Sequence, residues 1–185
     1  MKQLKFINDT GEFTIHQPEN INSLYFPLAS EVGLKSAISP NLGGDAKIDQ
    51  ETFLLEPISI DNLHNNRSTR NFWIKNQNGE VASVTGNSAK QEAQKFSIDQ
   101  EESQLTAGFM WQKLERHLKN LSLKAKVTSF IPHNENVEIM QVDITNTSDD
   151  TQTLTAYAAI PIFGRSADNI RDHRNVTSML HRIKT

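Results

Sequence analysis

The residues whose types could do chemistry fall into three groups. Asp45 and Asp49 follow Gly43-Gly44, four positions apart. Two carboxyl groups held across a sugar could run inverting glycoside chemistry, one of them as general acid. The plainer reading is turn capping, the usual work of Asp in a Gly-rich loop. Gly43-Gly44-Asp45 could also pose as a phosphate cradle, but the Lys-Ser/Thr ending and strand-to-helix setting of a P-loop are missing. The second group is Arg67, Arg70, Asn71 and Trp73. An indole face can stack on sugar C–H groups while Arg and Asn hydrogen-bond to hydroxyls. The competing reading puts Trp73 in the core and pairs the arginines with surface carboxylates, since large aromatics dominate cores. The third group is Arg165, Asp168, Arg171, Asp172, His173 and Arg174, the densest polar cluster of the chain. Its guanidinium forks could bind phosphate or hold a neighbouring domain, or its arginines and aspartates could form an internal ion-pair network.

Several chemistries have no support. The chain has no cysteine, so disulfides, thiolate metal sites and a Cys nucleophile are excluded. His173 and His181 do not have the spacing of a metal pair, and no metal is expected. No Gly-X-Ser-X-Gly elbow occurs. Nineteen basic residues against 22 acidic give a formal charge of −3, which is no footprint for nucleic acid. No stretch reaches the roughly 20 apolar residues of a membrane span. Residues 1–9 turn polar too early for a signal-peptide core, so a cytoplasmic protein is expected.

The elements that must position these residues read as β. Phe13 and Ile15 alternate with polar neighbours after Gly11. Residues 32–47 hold Gly33, Pro40, Gly43 and Gly44 and read as loop with at most brief strands. Phe53-Leu54-Leu55 and Ile58-Ser59-Ile60 flank Pro57, as in an edge strand or a bulge. Phe72-Trp73-Ile74, the turn Asn76-Gln77-Asn78-Gly79 and the run from Val81 to Thr85 make a hairpin. Residues 88–96 are the best helical stretch, with Ala89, Ala93 and Phe96 on one side, a short strand being the alternative. Trp111 reads as core. Leu121, Leu123, Ala125, Val127 and Ile131 share one face of a long strand, and Met140, Val142 and Ile144 share that of the next. Leu154, Ala156, Ala158, Ile160 and Ile162 follow on a third, after the polar turn of residues 146–150. Three such strands suggest an antiparallel meander, and the whole an all-β antiparallel sandwich.

Longer blocks carry a resemblance. They are Leu28-Ala29-Ser30-Glu31-Val32-Gly33-Leu34-Lys35-Ser36-Ala37-Ile38-Ser39-Pro40 with the following Asn41-Leu42-Gly43-Gly44-Asp45, then His64-Asn65-Asn66-Arg67-Ser68-Thr69-Arg70-Asn71-Phe72-Trp73, and Ile160-Pro161-Ile162-Phe163-Gly164-Arg165-Ser166-Ala167-Asp168-Asn169 running into Ile170-Arg171-Asp172-His173-Arg174. Together they resemble the N-terminal domain of glycoside hydrolase family 94. That family holds cellobiose-type phosphorylases and relatives of cyclic β-1,2-glucan synthase, and the resemblance is nearest to the 1,2-β-oligoglucan phosphorylase branch. It implies a galactose mutarotase-like supersandwich followed by a helical linker and an (α/α)₆ barrel that carries the general-acid Asp and the phosphate pocket. It also implies a homodimer, transfer from a β-glucan to inorganic phosphate giving a sugar 1-phosphate, and no metal or organic cofactor.

The family's acid Asp has no counterpart in residues 1–185, so no catalytic residue is carried over. The expectation is therefore an incomplete N-terminal sandwich without the barrel, inactive alone, which supports dimerisation and the substrate entrance. A stand-alone carbohydrate-binding module and an inactive truncated fragment are the alternatives.

Overall fold

The structure is a computed structural model that describes residues 4–21, 24–58 and 69–164. Thirteen strands and one short α-helix are present among them. The largest sheet has six antiparallel strands, in the order β1 (Leu4–Phe6), β2 (Phe13–His16), β9 (Ser103–Gly108), β10 (Trp111–Leu118), β11 (Leu123–Phe130) and β12 (Ile139–Asn146). A four-stranded sheet follows chain order through β3 (Phe26–Ala29), β4 (Lys35–Ile38), β5 (Gly44–Lys47) and β6 (Phe53–Leu55). A three-stranded sheet is ordered β13 (Leu154–Ala159), β7 (Asn71–Asn76) and β8 (Val81–Ser83). One core joins all three. Ile15, Leu105, Leu114 and Val127 come from the large sheet, Leu28 and Ile38 from the four-stranded one, and Ile74 from the three-stranded one. The two smaller sheets thus form the layer facing the larger, a two-layer β-sandwich.

The β10–β11 pair shows why alternation builds this layer. Leu114, Leu118, Leu123, Ala125 and Val127 are buried, while Lys113, His117, Lys124 and Lys126 point the other way. The side-chain period of a strand is two, so one register satisfies both faces. Backbone bonds stitch the smaller sheets together: Arg70 N donates to Leu42 O at 3.1 Å, and Phe163 N to Leu54 O at 2.7 Å.

Four expectations are corrected in detail. Residues 32–47 contain two paired strands, β4 and β5, rather than mainly loop. Gly44 makes their pairing possible: its φ is +121°, and a Cβ there would lie 2.9 Å from the Ala37 carbonyl carbon. The expected three-strand meander ends after two. β11 pairs with β12, but β13 crosses to the other layer and pairs with β7. The turn between them is fixed by Asn146 and Gln152, whose side-chain amides donate to Asp150 O (2.7 Å) and Leu121 O (3.1 Å). The helix α1 spans only Ala89–Ala93, held by a Ser88–Gln91 capping box. Its inward residue is Gln91, whereas Phe96 lies beyond the helix at positive φ and is exposed. Finally, Trp111 starts β10 on the outer side of the sheet and is half-buried rather than core.

A buried charge cluster ties α1 and the Pro18–Asn20 turn to the large sheet. Arg116 Nη1 lies 3.3 Å from Glu19 Oε1 and 3.4 Å from Glu101 Oε2. Ser103 donates to Glu19 Oε2 at 2.6 Å, and Gln91 Nε2 donates to Glu101 Oε2 at 2.8 Å. Burial alone pushes the Glu19 carboxyl up. The Arg116 charge and the Ser103 and Gln100 hydrogen bonds together outweigh it, so the carboxyl titrates below its ordinary range. Gly86, at φ +83°, leaves the room the guanidinium occupies: a Cβ there would stand 2.7 Å from Arg116 Cζ.

A carboxyl with a lowered folded-state pKa stabilises the fold above its unfolded value of about 4.3, and that contribution is lost as pH falls through the folded value. Glu19→Gln should therefore lower the unfolding free energy at neutral pH by about 1.5–3 kcal/mol and flatten the acid limb of stability against pH. Urea melts from pH 7 to 3 check this, and an acid limb unchanged by the substitution would contradict it. Gly86→Ala should cost at least about 1–2 kcal/mol from the left-handed backbone alone, read as a lower midpoint in the same melts.

Candidate functional site

Of the sugar-contact candidates, Arg67 lies outside the described residues. So do Arg165, Asp168, Arg171, Asp172, His173 and Arg174. Arg70, Asn71 and Trp73 are brought together at the start of β7, but they do different work.

Arg70 is 2% exposed. Its Nη2 donates to Glu138 Oε2 at 2.8 Å and to Asp45 O at 2.9 Å, and Nη1 donates to Gly44 O at 3.3 Å. Its Nε also pairs with Glu138 Oε1, completing a two-pronged fork on the carboxylate. Ser36 donates its hydroxyl to the same carboxylate. Glu138 immediately precedes β12, so one guanidinium joins the entry of β7, the β4–β5 hairpin and the large sheet. These bonds occupy the guanidinium in structural work.

Asn71 is also buried. Its Oδ1 accepts from the Ser83 hydroxyl at 2.7 Å, the Thr85 hydroxyl at 2.8 Å and the Phe72 amide at 2.8 Å. Asn87 extends this network by donating from Nδ2 to Thr85 Oγ1 and to Asn41 O, each at 2.8 Å. A buried carbonyl oxygen needs such donors, and these close the β7–β8 hairpin against the Asn41 loop.

Trp73 is different. It is half-buried, and its cross-strand neighbour on β13 is Tyr157, 52% exposed. The next pair on the same face is Lys75 with Thr155, both exposed. Two aromatic side chains in one cross-strand row, edged by an ammonium and a hydroxyl, can stack on a pyranose and hydrogen-bond to its hydroxyls. The Trp73–Tyr157 row is the candidate sugar-contact surface of this layer. Residue-type reasoning missed Tyr157, although its place opposite Ala156 and Ala158 in an alternating strand marks it as outward. Glu138, the partner of Arg70, left no signal, because 68 residues separate the two.

The carboxylate pair does not form an acid–base constellation. Asp45 lies buried in β5, where its Oδ1 accepts from Ala37 N at 3.2 Å. Asp49 accepts from Glu51 N at 2.9 Å in the following turn. That bond, with help from Thr52, keeps its carboxyl below the ordinary range. Gly43 belongs to a tight turn, its N–H donating to Ser39 Oγ at 2.9 Å. Among the described residues no three His, Asp or Glu side chains are grouped to hold a metal ion. No helix among them is long and apolar enough to cross a membrane.

Removing one partner of a buried, hydrogen-bonded ion pair costs about 3–5 kcal/mol. Arg70→Met should show a loss of that size in denaturant melts. Arg70→Lys should recover only a minor part of it, because an ammonium cannot reproduce the fork on Glu138 together with the carbonyl bonds. Full recovery by lysine would reduce the interaction to a point charge.

The sequence matches the family model for the glycosyl hydrolase 94 supersandwich domain over residues 42–184. No curated protein matches it. That span covers β5 to β13, and with them the Arg70 tie and the Trp73–Tyr157 row. The chain belongs to the glycosyl hydrolase 94 supersandwich-domain family.

Proposed function

We propose that this chain is the N-terminal, non-catalytic sandwich of a cytoplasmic β-glucan phosphorylase, an enzyme that transfers a glycosyl group from a β-glucan to inorganic phosphate and releases a sugar 1-phosphate. Its part is to support the homodimer and to shape the entrance through which the glucan reaches a helical barrel elsewhere in the polypeptide. The observation that carries this reading is the family match over residues 42–184 on an all-β two-layer fold. The described side chains are consistent with it. Asp45 and Asp49 serve the backbone, and Glu19, Glu101 and Glu138 pair with buried arginines. The general acid is assigned to the barrel. A second reading, a stand-alone carbohydrate-binding module, is favoured by one feature, the outward Trp73–Tyr157 row.

Phosphorolysis of a panel of β-linked glucosyl disaccharides tests the first reading. The full-length gene product should release sugar 1-phosphate, and the 185-residue chain should release none. Turnover by the chain alone, or no phosphorolysis by the full-length product, would refute it. In the full-length product, Trp73→Ala should raise KM for longer glucans about 3–10-fold, the value of one lost aromatic contact, with kcat nearly unchanged. An unchanged KM would remove Trp73 from the glucan path.

A further inference from the structure

The outer face of the six-stranded sheet carries a second aromatic surface, built differently from the first. Trp111 opens β10 opposite Gly108 on β9 and Phe130 on β11. A Cβ at Gly108 would lie 2.6 Å from Trp111 Nε1, 2.8 Å from Cε2 and 2.9 Å from Cζ2. The indole therefore rests against the Gly108 backbone, in space that any other residue would fill. Being half-buried, it keeps its other side toward solvent.

Beyond the indole the face turns polar. The next cross-strand row is Lys113 and Thr128, with Thr106 buried beside them, and the one after it holds Gln104 and Glu115. The strip ends in a hollow of about 520 Å³ lined by His16, Gln104, Glu115, His117 and Lys124, among others. From Trp111 to His117 it runs along β10 for about 20 Å, at roughly 3.4 Å per residue. Its charges largely cancel. Glu115 lies 3.5 Å from Lys113 Nζ and 3.0 Å from Lys124 Nζ, and Lys126 lies 2.7 Å from Asp143.

These features select the occupant. Trp111, Phe130 and Ile139 are each half-buried and, with the exposed Phe109 of the adjoining turn, gather at one end of the face. The centre of a protein interface is depleted of Lys, Glu and Asp, whereas Lys113, Lys124, Lys126, Glu115 and Asp143 lie across this face. An anionic ligand would want an unbalanced positive strip, which the ion pairs remove. What fits is long, neutral and amphipathic, with C–H faces for a ring and hydroxyls for Thr, Gln and Lys. We propose that this strip binds a β-linked gluco-oligosaccharide along β10, with Trp111 as the stacking platform. The choice of a β-glucan rests on the function proposed above, whereas the strip itself rests on the geometry of Gly108, Trp111 and the rows beyond.

The chain has two tryptophans, so Trp73→Phe leaves Trp111 as the sole indole reporter. Indole fluorescence of this variant is titrated with β-linked gluco-oligosaccharides of increasing length, alongside α-linked ones. A saturable change should appear, and affinity should rise with length across the strip. Gly108→Ala, which displaces the indole, and Lys113→Ala, which removes a donor without touching the platform, should each weaken binding, the first by at least about tenfold, equivalent to about 1.4 kcal/mol. Circular dichroism shows whether each variant keeps the fold, and Lys113→Ala carries the test if Gly108→Ala does not. No saturable response in a folded Trp73→Phe variant overturns the proposal. So does a response to α-linked sugars only, or binding by folded Gly108→Ala and Lys113→Ala that equals that of the Trp73→Phe parent. Failed phosphorolysis alongside saturable β-glucan binding would remove the phosphorylase reading and leave the strip standing.

Discussion

One buried guanidinium is the most densely bonded tie between the two layers of this sandwich, beside the buried Gln112 amide that donates to Ser39 O. Hydrophobic burial drives the sheets together but has no direction. Interdigitated Leu, Ile and Val resist sliding by packing, but only directional bonds single out one polar pairing between the sheets. The Arg70 fork cannot slide, because its bonds to Glu138 and to the carbonyls of Gly44 and Asp45 are directional and short. It reaches the four-stranded sheet, the strand β7 that leads the three-stranded sheet, and the residue that leads into β12. An ion pair this deep is weak as a net source of stability, since both charges lose water. Its value lies in fixing one arrangement, and in the penalty of leaving either partner alone. Arg116 repeats the device at the other end, between Glu19 and Glu101, and Gly86 is kept small to admit it.

These polar ties also explain what the sequence did and did not reveal. Alternation in residues 121–131, 140–144 and 154–162 was plain, because their inward positions are apolar; the strands run 123–130, 139–146 and 154–159, with Leu121 in a 3-10 turn and Ile160 and Ile162 beyond the last strand. β10 is as long as any of them and stayed hidden. Its inward positions read Gln112, Leu114, Arg116 and Leu118, so two of the four look like surface residues. Polar groups inside the sandwich erase the pattern that marks a strand. Pairing partners were hidden for another reason: period two says which side of a strand is buried, but nothing about which sheet it joins. The Asn146–Gln152 turn sends β13 to the opposite layer through side-chain bonds that composition cannot foretell. The site was legible to the same degree. Arg70, Asn71 and Trp73 are neighbours in sequence and in space, but only the structure separates the two that build the fold from the one that faces outward.

The outer face of each layer carries a candidate aromatic surface. The inward faces are filled by the core, the arginine clusters and the Asn71 network. Trp73 with Tyr157 on one layer, and Trp111 on Gly108 on the other, sit in cross-strand rows whose spacing the sheet fixes. Aromatic groups held this way can take a flat sugar face without first being ordered, which spares part of the entropy that binding otherwise costs.

Native-state hydrogen exchange probes the central claim, that Arg70 couples the sheets into one unit. Amides of Ala46 in β5, Ile74 in β7 and Val142 in β12 should exchange through a shared opening, with similar free energies. In a folded Arg70→Met chain, protection should fall together at all three. Loss confined to β5 and β7, with β12 as protected as before, would show that the layers hold their register without the guanidinium.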